Sequence, residues 1–205
     1  MGRLKKNKKK NRRFESQNLM KILAGVDEVG RGSLIGPVYA AAIILNKSID
    51  SKLLKDSKSL SKGQREELFS YIKKNSVWAI GQSSIKEIEK INILQASLLA
   101  MKRAILKLKK KPTLVLIDGN KLPILNDYKL KYVIKGDQKI PCISAASIVA
   151  KVSRDRFITT LSKKLKNYGW DTNSGYGTKE HLRAIKKFGI TKYHRKTFSP
   201  ICNMK

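Results

Sequence analysis

The chain has 205 residues, 41% of them hydrophobic, which suits one globular domain with a core of its own. Lysine and arginine number 45 against 15 acidic residues, and the net charge of +30 favours a polyanionic partner, nucleic acid before an anionic membrane. The longest mainly apolar stretch, residues 34–45, is far shorter than the roughly 18–20 residues of a membrane span. No apolar segment of signal-peptide length follows the basic N-terminus, so we expect a cytoplasmic protein with Cys142 and Cys202 as free thiols.

The N-terminal segment differs in composition from the rest of the chain. Residues 1–13, MGRLKKNKKKNRR, carry almost no apolar side chains. We therefore expect residues 1–20 to form a disordered basic tail that adds only nonspecific attraction to phosphates. The folded domain is predicted to span residues 21–205.

The first part of the domain is predicted to form a sheet. Residues 22–26 favour a strand that ends at the acidic pair 27–28, and a glycine-rich turn, residues 30–32, leads to a second strand over residues 38–45. We expect these two strands to pair as an antiparallel hairpin. Residues 77–83 favour a third strand.

Two capping boxes mark the starts of helices around the third strand. Ser61 with Gln64 opens a short helix, and Ser84 with Glu87 opens a longer one. Apolar residues recur every three or four positions along the longer helix, which places them on one face. We expect this face to cover the sheet.

Strands alternate with helices in the remaining part. Residues 113–117 and 132–134 favour short strands that end at Asp118 and near Asp137, and a long helix follows. Thr178 is expected to cap a last helix. A hairpin followed by alternating strands and helices predicts a mixed α/β sheet covered by helices, with a small C-terminal helical segment.

Four acidic residues stand where apolar strands end: Asp27, Glu28, Asp118 and Asp137. Such acids would gather at one edge of the sheet, where their charges repel unless a cation neutralises them. Ligation by carboxylates alone suits Mg²⁺ or Mn²⁺, whereas two histidines and two scattered cysteines argue against zinc. Ordinary strand-end turn residues are the alternative interpretation. With the basic charge, the pattern favours a metal-dependent phosphodiesterase that acts on nucleic acid.

The stretch GVDEVGRGSLIGPV, residues 25–38, closely resembles the signature of the ribonuclease HII family. The combination of Asp-Glu, one spacer and Gly-Arg-Gly is specific, whereas a lone Gly-x-Gly would be weak. Five further segments resemble family motifs in family order: DSKSL at 56–60, residues 87–101, Asp118-Gly119, residues 136–155 and the block from SGYGTKEH at 174–181 to residue 200. The resemblance covers roughly residues 21–200 and implies the ribonuclease H-like fold.

The resemblance implies a role for each matching residue. The four acids would be the metal ligands, with Mn²⁺ or Mg²⁺ as the cofactor. The Gly-Arg-Gly loop, which consists of Gly30, Arg31 and Gly32, would contact the ribose 2′-hydroxyl and the adjacent phosphate. Tyr176 would pack on the sugar that follows the ribonucleotide, and Lys58 would contact a backbone phosphate.

Four further positions in the matching blocks are Asp155, His181, His194 and Ser33. Asp155 competes with Asp137 for the fourth ligand position, but Lys151 lies four residues earlier on the same helix face and is a ready partner for it. His181 and His194 match family positions without a derived role, so we expect them to be structural. Ser33 stands where many family members have proline.

The expected activity is hydrolysis of the RNA strand of RNA–DNA hybrids and cleavage 5′ of single ribonucleotides in duplex DNA, leaving 5′-phosphates. The related type 3 enzymes typically carry Gly-Lys-Gly at residues 30–32, so Gly-Arg-Gly favours type 2. One alternative is a junction resolvase or transposase of the same fold, which would lack the Gly-Arg-Gly motif. Another is a basic nucleic-acid-binding protein without catalysis. No membrane and no obligate protein partner is expected.

Overall fold

A mixed five-stranded sheet forms the centre of the protein in a computed structural model that describes residues 22–54 and 60–204. The predicted basic tail and Lys58 lie outside the described residues. The strands are β1 (Leu23–Val29), β2 (Val38–Leu45), β3 (Ser76–Ser83), β4 (Leu114–Asp118) and β5 (Leu130–Val133). Their order is β3-β2-β1-β4-β5. The first three pair antiparallel, which confirms the hairpin, and β4 and β5 continue the sheet in parallel with β1.

The helices begin largely where the sequence predicts. They are α1 (Lys62–Lys74), α2 (Ile85–Leu106), α3 (Gly136–Lys139), α4 (Pro141–Lys164), α5 (Trp170–Asn173) and α6 (Lys179–Phe188). Both predicted capping boxes are present, at Ser61 and Ser84, and the Thr178 hydroxyl caps α6. In the part of the chain that the structure describes, no helix is long and apolar enough to cross a membrane.

One helix differs from the uniform helix that its apolar spacing predicts. α2 is kinked at Asn92, whose φ of 64° lies in the left-handed region. The Asn92 side chain accepts hydrogen bonds from the backbone N–H groups of Leu94 and Gln95, at 3.0 and 3.1 Å. The asparagine therefore acts as a helix cap inside the apparent helix, which restarts after it.

Helices cover both faces of the sheet. Alanines of α2 pack on one face, and α1 and α4 cover the other with Phe69, Ile72 and Ile148. The start of α4 lies directly against β1 because Gly25 has no side chain, and a Cβ there would overlap the backbone of Cys142. This close approach brings the first turns of α4 to the strand that carries Asp27.

A separate apolar cluster joins the C-terminal segment to the loop after β1. Trp170 and Tyr168 pack with Leu34 and Ile35 of this loop and with Ile158 of α4. The Leu34 N–H also donates to the Gly175 carbonyl at 2.9 Å. The C-terminal segment therefore fixes the position of the loop that follows β1, the strand that carries Asp27 and Glu28 and is called the acidic strand below.

Candidate active site

Two of the predicted ligands lie side by side on neighbouring strands. β1 and β4 run parallel with Val26 opposite Ile117, so Asp27 and Asp118 are the next residues along the two strands. Strand alternation places both on the face that α4 covers. The Gly136 N–H donates to Asp118 Oδ1 at 2.6 Å, which brings the turn that carries Asp137 to the end of β4.

The predicted strand positions of these acids are only partly correct. Asp27 and Glu28 lie within β1 rather than after it, because β2 continues to pair with them at Ala41 and Ala40. Asp118 is the last residue of β4, as expected. Asp137 lies in the short helix α3 instead of closing a strand.

Three of the four acidic residues, Asp27, Glu28 and Asp118, interact electrostatically. Burial raises the pKa of Asp27 well above its ordinary value, and the charges of Glu28 and Asp118 raise it further against a hydrogen bond from Ser147. The pKa of Glu28 is also raised, first by burial and then by Asp118, although Arg31 opposes the shift. Gathering these acids in a buried place therefore costs free energy that a bound cation would offset.

The donor set fits a hard divalent cation by its chemistry. Every donor is a carboxylate oxygen, and Asp27 and Asp137 are both buried, at 6% and 7% exposure. Within residues 22–54 and 60–204, no group of three or more histidine, cysteine, aspartate or glutamate side chains is arranged to hold a metal ion. The assignment of the four ligands therefore stays a prediction.

The Gly-Arg-Gly loop lies between the acids and Tyr176. Arg31 Nη1 is 3.2 Å from Glu28 Oε1, which links the loop to the acidic strand. A Cβ on Gly32 would lie 3.8 Å from Cε1 of Tyr176, so this tyrosine is the neighbour of the loop although it comes from a distant segment. Tyr176 is 36% exposed, so part of the residue is open to solvent. The structure thus brings together the residues predicted to contact substrate, apart from Lys58.

Sequence reasoning missed Arg154, a fully buried residue under this loop. Its guanidinium donates to Ser33 Oγ at 2.7 Å, to the Ile35 carbonyl at 3.3 Å and to the Ser174 carbonyl at 3.2 Å. It also lies 5.9 Å from the centre of the Tyr176 ring. The hydroxyl of Ser33 is therefore part of this buried network.

A pattern in α4 could have revealed Arg154. It follows Ala146 and Ala150 and precedes Ile158 at intervals of four residues, and all of these are buried. An arginine on an apolar helix face requires a polar partner in the core. Asp155, on the next position, instead pairs with Lys151 at 2.9 Å, which confirms the predicted pair.

Arg195 is a second buried arginine that the sequence did not reveal as part of the site. It donates to the carbonyls of Arg31 at 3.0 Å and Gly36 at 2.9 Å, so it holds the connection between β1 and β2 at two points. Burial and the charge of Arg154 lower the pKa of Arg195 to about 9. Arg154 Nε and Arg195 Nη2 have no hydrogen-bond partner among the described residues.

His181 and His194 are both buried, in agreement with a structural role. Their Nε2 atoms are 3.3 Å apart. Burial lowers the pKa of His181, and burial together with the neighbouring His181 lowers the pKa of His194 to about 4. Both rings are therefore neutral at neutral pH.

We expect acid to destabilise the fold through His194. Its pKa is about 4 in the folded protein and 6.5 as the ordinary value. Between these values the unfolded chain binds more protons, so the free energy of unfolding falls as the pH falls, by up to about 3 kcal/mol. Urea unfolding of the wild type and of His194→Gln checks this. The wild type should be more stable near neutral pH, and its advantage should shrink towards pH 4. Parallel stability curves would contradict this account of the histidine.

Solved structures with a similar fold define the class of the protein. The match to ribonuclease H2 from Pyrococcus horikoshii OT3 covers 89% of this chain and 96% of that protein, with a TM-score of 0.74 and 29% sequence identity. Bst-RNase HIII, solved in complex with Mn²⁺, covers 91% of this chain and 70% of its own with a TM-score of 0.70, and at 18% identity it shows the fold alone. The protein is an α/β protein of the ribonuclease H-like fold.

Sequence relatives narrow the class to one family. The family model "Ribonuclease HII" matches residues 24–201. Ribonuclease HII of Pelagibacter ubique (strain HTCC1062) is 83% identical over 185 residues, which are 90% of this chain and 100% of that protein. That of Delftia acidovorans (strain DSM 14801 / SPH-1) is 47% identical over 184 residues, 89% of this chain and 78% of that protein. The chain belongs to the ribonuclease HII family and is an RNase H endoribonuclease.

Proposed function

We propose that the enzyme hydrolyses the RNA strand of RNA–DNA hybrids and cuts on the 5′ side of single ribonucleotides embedded in duplex DNA. The observation that carries the proposal is the position of the loop over residues 30–32. It is linked to the acidic strand through Arg31 and Glu28, and Gly32 faces Tyr176. One compact unit can therefore bind a sugar beside the acids.

The loop suits recognition of a 2′-hydroxyl. Glycines permit a sugar to approach the main chain closely, and the 2′-hydroxyl is the group that separates RNA from DNA. Tyr176 would pack on the following sugar, and Lys58 would contact a backbone phosphate. The net charge of +30 attracts any duplex and does not depend on the sugar, so selectivity must come from the loop and the tyrosine.

Divalent cations, Mg²⁺ or Mn²⁺, are the cofactors we propose, with Asp27, Glu28, Asp118 and Asp137 as the residues that hold them. Such cations activate a water and stabilise the leaving oxygen of a phosphodiester. The chain itself orients Asp118 through the Gly136 N–H and excludes water around Asp27 by burial. The products would carry a 5′-phosphate. The cellular task we propose is removal of misincorporated ribonucleotides or primer RNA in the cytoplasm.

Four labelled duplexes test this function: DNA with one ribonucleotide, DNA with a run of four, an RNA–DNA hybrid and plain DNA. With Mg²⁺ or Mn²⁺ we expect cleavage of the first three, 5′ of the single ribonucleotide in the first, and none of plain DNA. A chelator should stop all cleavage. Cleavage of only the run of four and the hybrid would refute recognition of a single sugar, and cleavage in the presence of the chelator would refute the metal requirement.

A further inference from the structure

A chain of hydrogen bonds from two buried histidines ends at the main chain of Tyr176. Trp170 Nε1 lies 2.9 Å from His181 Nε2, and an indole N–H can only donate. His181 Nε2 must therefore accept, so the neutral ring carries its proton on Nδ1. That Nδ1–H points at the Tyr176 carbonyl oxygen, 2.9 Å away, and donates to it.

The second histidine favours the same arrangement. The Thr191 N–H donates to His194 Nδ1 at 2.8 Å, so the proton of neutral His194 lies on Nε2 and faces His181 Nε2 at 3.3 Å. A proton on His181 Nε2 would confront two donors, from Trp170 and His194. His181 is thus held in one tautomer, with its Nδ1–H committed to Tyr176.

The backbone before Tyr176 needs such support. Ser174 and Gly175 both have positive φ, at 49° and 78°, and the left-handed conformation is costly for serine. Arg154 donates to the Ser174 carbonyl at 3.2 Å, and the Tyr176 N–H donates to the Asn173 carbonyl at 2.9 Å. On the other side of Tyr176, its carbonyl accepts two hydrogen bonds, from the Thr178 N–H at 2.8 Å and from the His181 Nδ1–H at 2.9 Å, and only the second comes from a side chain.

We propose that His181 is a positioning residue, whose Nδ1–H holds the Tyr176 main chain so that the ring stands beside Gly32 in the orientation that packs on the substrate sugar. His181 is fully buried, so its ring presents no surface to a substrate. The inference rests on the proposed role of Tyr176 and adds the group that sets its orientation. It predicts that the effect of His181 on cleavage passes through Tyr176.

Two amide substitutions distinguish the contributions of the two ring nitrogens of His181. The side-chain nitrogen of asparagine can replace Nδ1 as the donor to Tyr176, whereas glutamine can replace Nε2 as the acceptor from Trp170 but supplies no donor near Tyr176. We expect His181→Gln to lower the single-turnover cleavage rate on a duplex with one ribonucleotide by about fivefold to tenfold. This is the change in rate that corresponds to the free energy of one buried hydrogen bond. His181→Asn should keep at least about half of the rate, and the duplex Kd should change by less than about twofold in both.

A double-mutant cycle with Tyr176→Ala shows whether the two residues act together. Tyr176→Ala should reduce cleavage by itself, and adding His181→Gln to it should change the rate by less than about twofold. An equal loss from His181→Gln in both backgrounds would show a general structural role and overturn the positioning. Equal losses in His181→Asn and His181→Gln would do the same. Normal cleavage by Tyr176→Ala would instead refute the proposed role of the tyrosine, and the positioning with it.

The tautomer can be read without any variant. Nitrogen-15 NMR of the histidine rings in the wild-type protein should show His181 protonated on Nδ1 and His194 on Nε2. Protonation of His181 on Nε2 would overturn the proposal, because the ring would then have no hydrogen to donate to Tyr176. This measurement tests the hydrogen bond from His181 to Tyr176 even if a substitution at His181 prevents folding.

Discussion

Asp118→Asn should abolish cleavage while the fold stays intact. The asparagine carbonyl oxygen can still accept the Gly136 N–H that Asp118 Oδ1 accepts at 2.6 Å, so the turn after β5 keeps its place. The lost charge, however, should weaken the proposed site for a divalent cation. We expect the cleavage rate to fall at least about a thousandfold, the equivalent of about 4 kcal/mol of lost cation stabilisation.

The same substitution should relieve repulsion inside the site. The charge of Asp118 raises the pKa of Asp27, so that pKa should move down towards its ordinary value in Asp118→Asn, as an NMR titration without divalent cations can measure. The free energy of unfolding should rise or stay within about 1 kcal/mol. Asp127→Asn, an exposed residue before β5, is the matched control and should cleave normally. Near-normal hydrolysis by folded Asp118→Asn would refute the assignment of Asp118 as a ligand.

Local sequence signals predicted much of the fold. β2 spans the predicted residues 38–45, and both capping boxes mark true helix starts, because these features depend on neighbouring residues alone. The sequence predicted that Asp27 and Asp118 gather at one edge of the sheet, and the structure places them side by side because β1 and β4 pair in parallel. The position of Asp137 did not follow, since Lys135, with φ of 55°, turns the chain into α3 rather than extending β5.

The contacts of the two buried arginines could not be predicted in the same way. Arg195 reaches the loop over residues 30–32 only because the C-terminal segment folds back onto it, and its partner in one hydrogen bond is 164 positions away along the chain. Such contacts depend on tertiary packing, which a local pattern does not record. The family motifs include both Arg154 and Arg195 but give no physical reason for them. The structure supplies one, since their donors hold the main chain around the loop.

Arg154→Met should lower both the free energy of unfolding and the cleavage rate, in contrast to Arg156→Met on the same helix. Methionine fills much of the space of Arg154 but removes the donors to Ser33 and the Ser174 carbonyl, which anchor the loop and the backbone before Tyr176. Buried acceptors left unpaired cost roughly 1–3 kcal/mol each, so we expect the free energy of unfolding to fall by about 2–4 kcal/mol.

Cleavage of a duplex with one ribonucleotide should fall at least about tenfold in Arg154→Met at a temperature where the variant is folded, because the loop and Tyr176 lose their common anchor. Arg156→Met is the matched control on α4. Arg156 forms an ion pair with Glu66 at the surface, and removing such a pair costs at most about 1 kcal/mol. Denaturant unfolding and single-turnover cleavage of both variants measure the contrast. If Arg154→Met is as stable and as active as Arg156→Met, the buried guanidinium does not hold the substrate-binding loop.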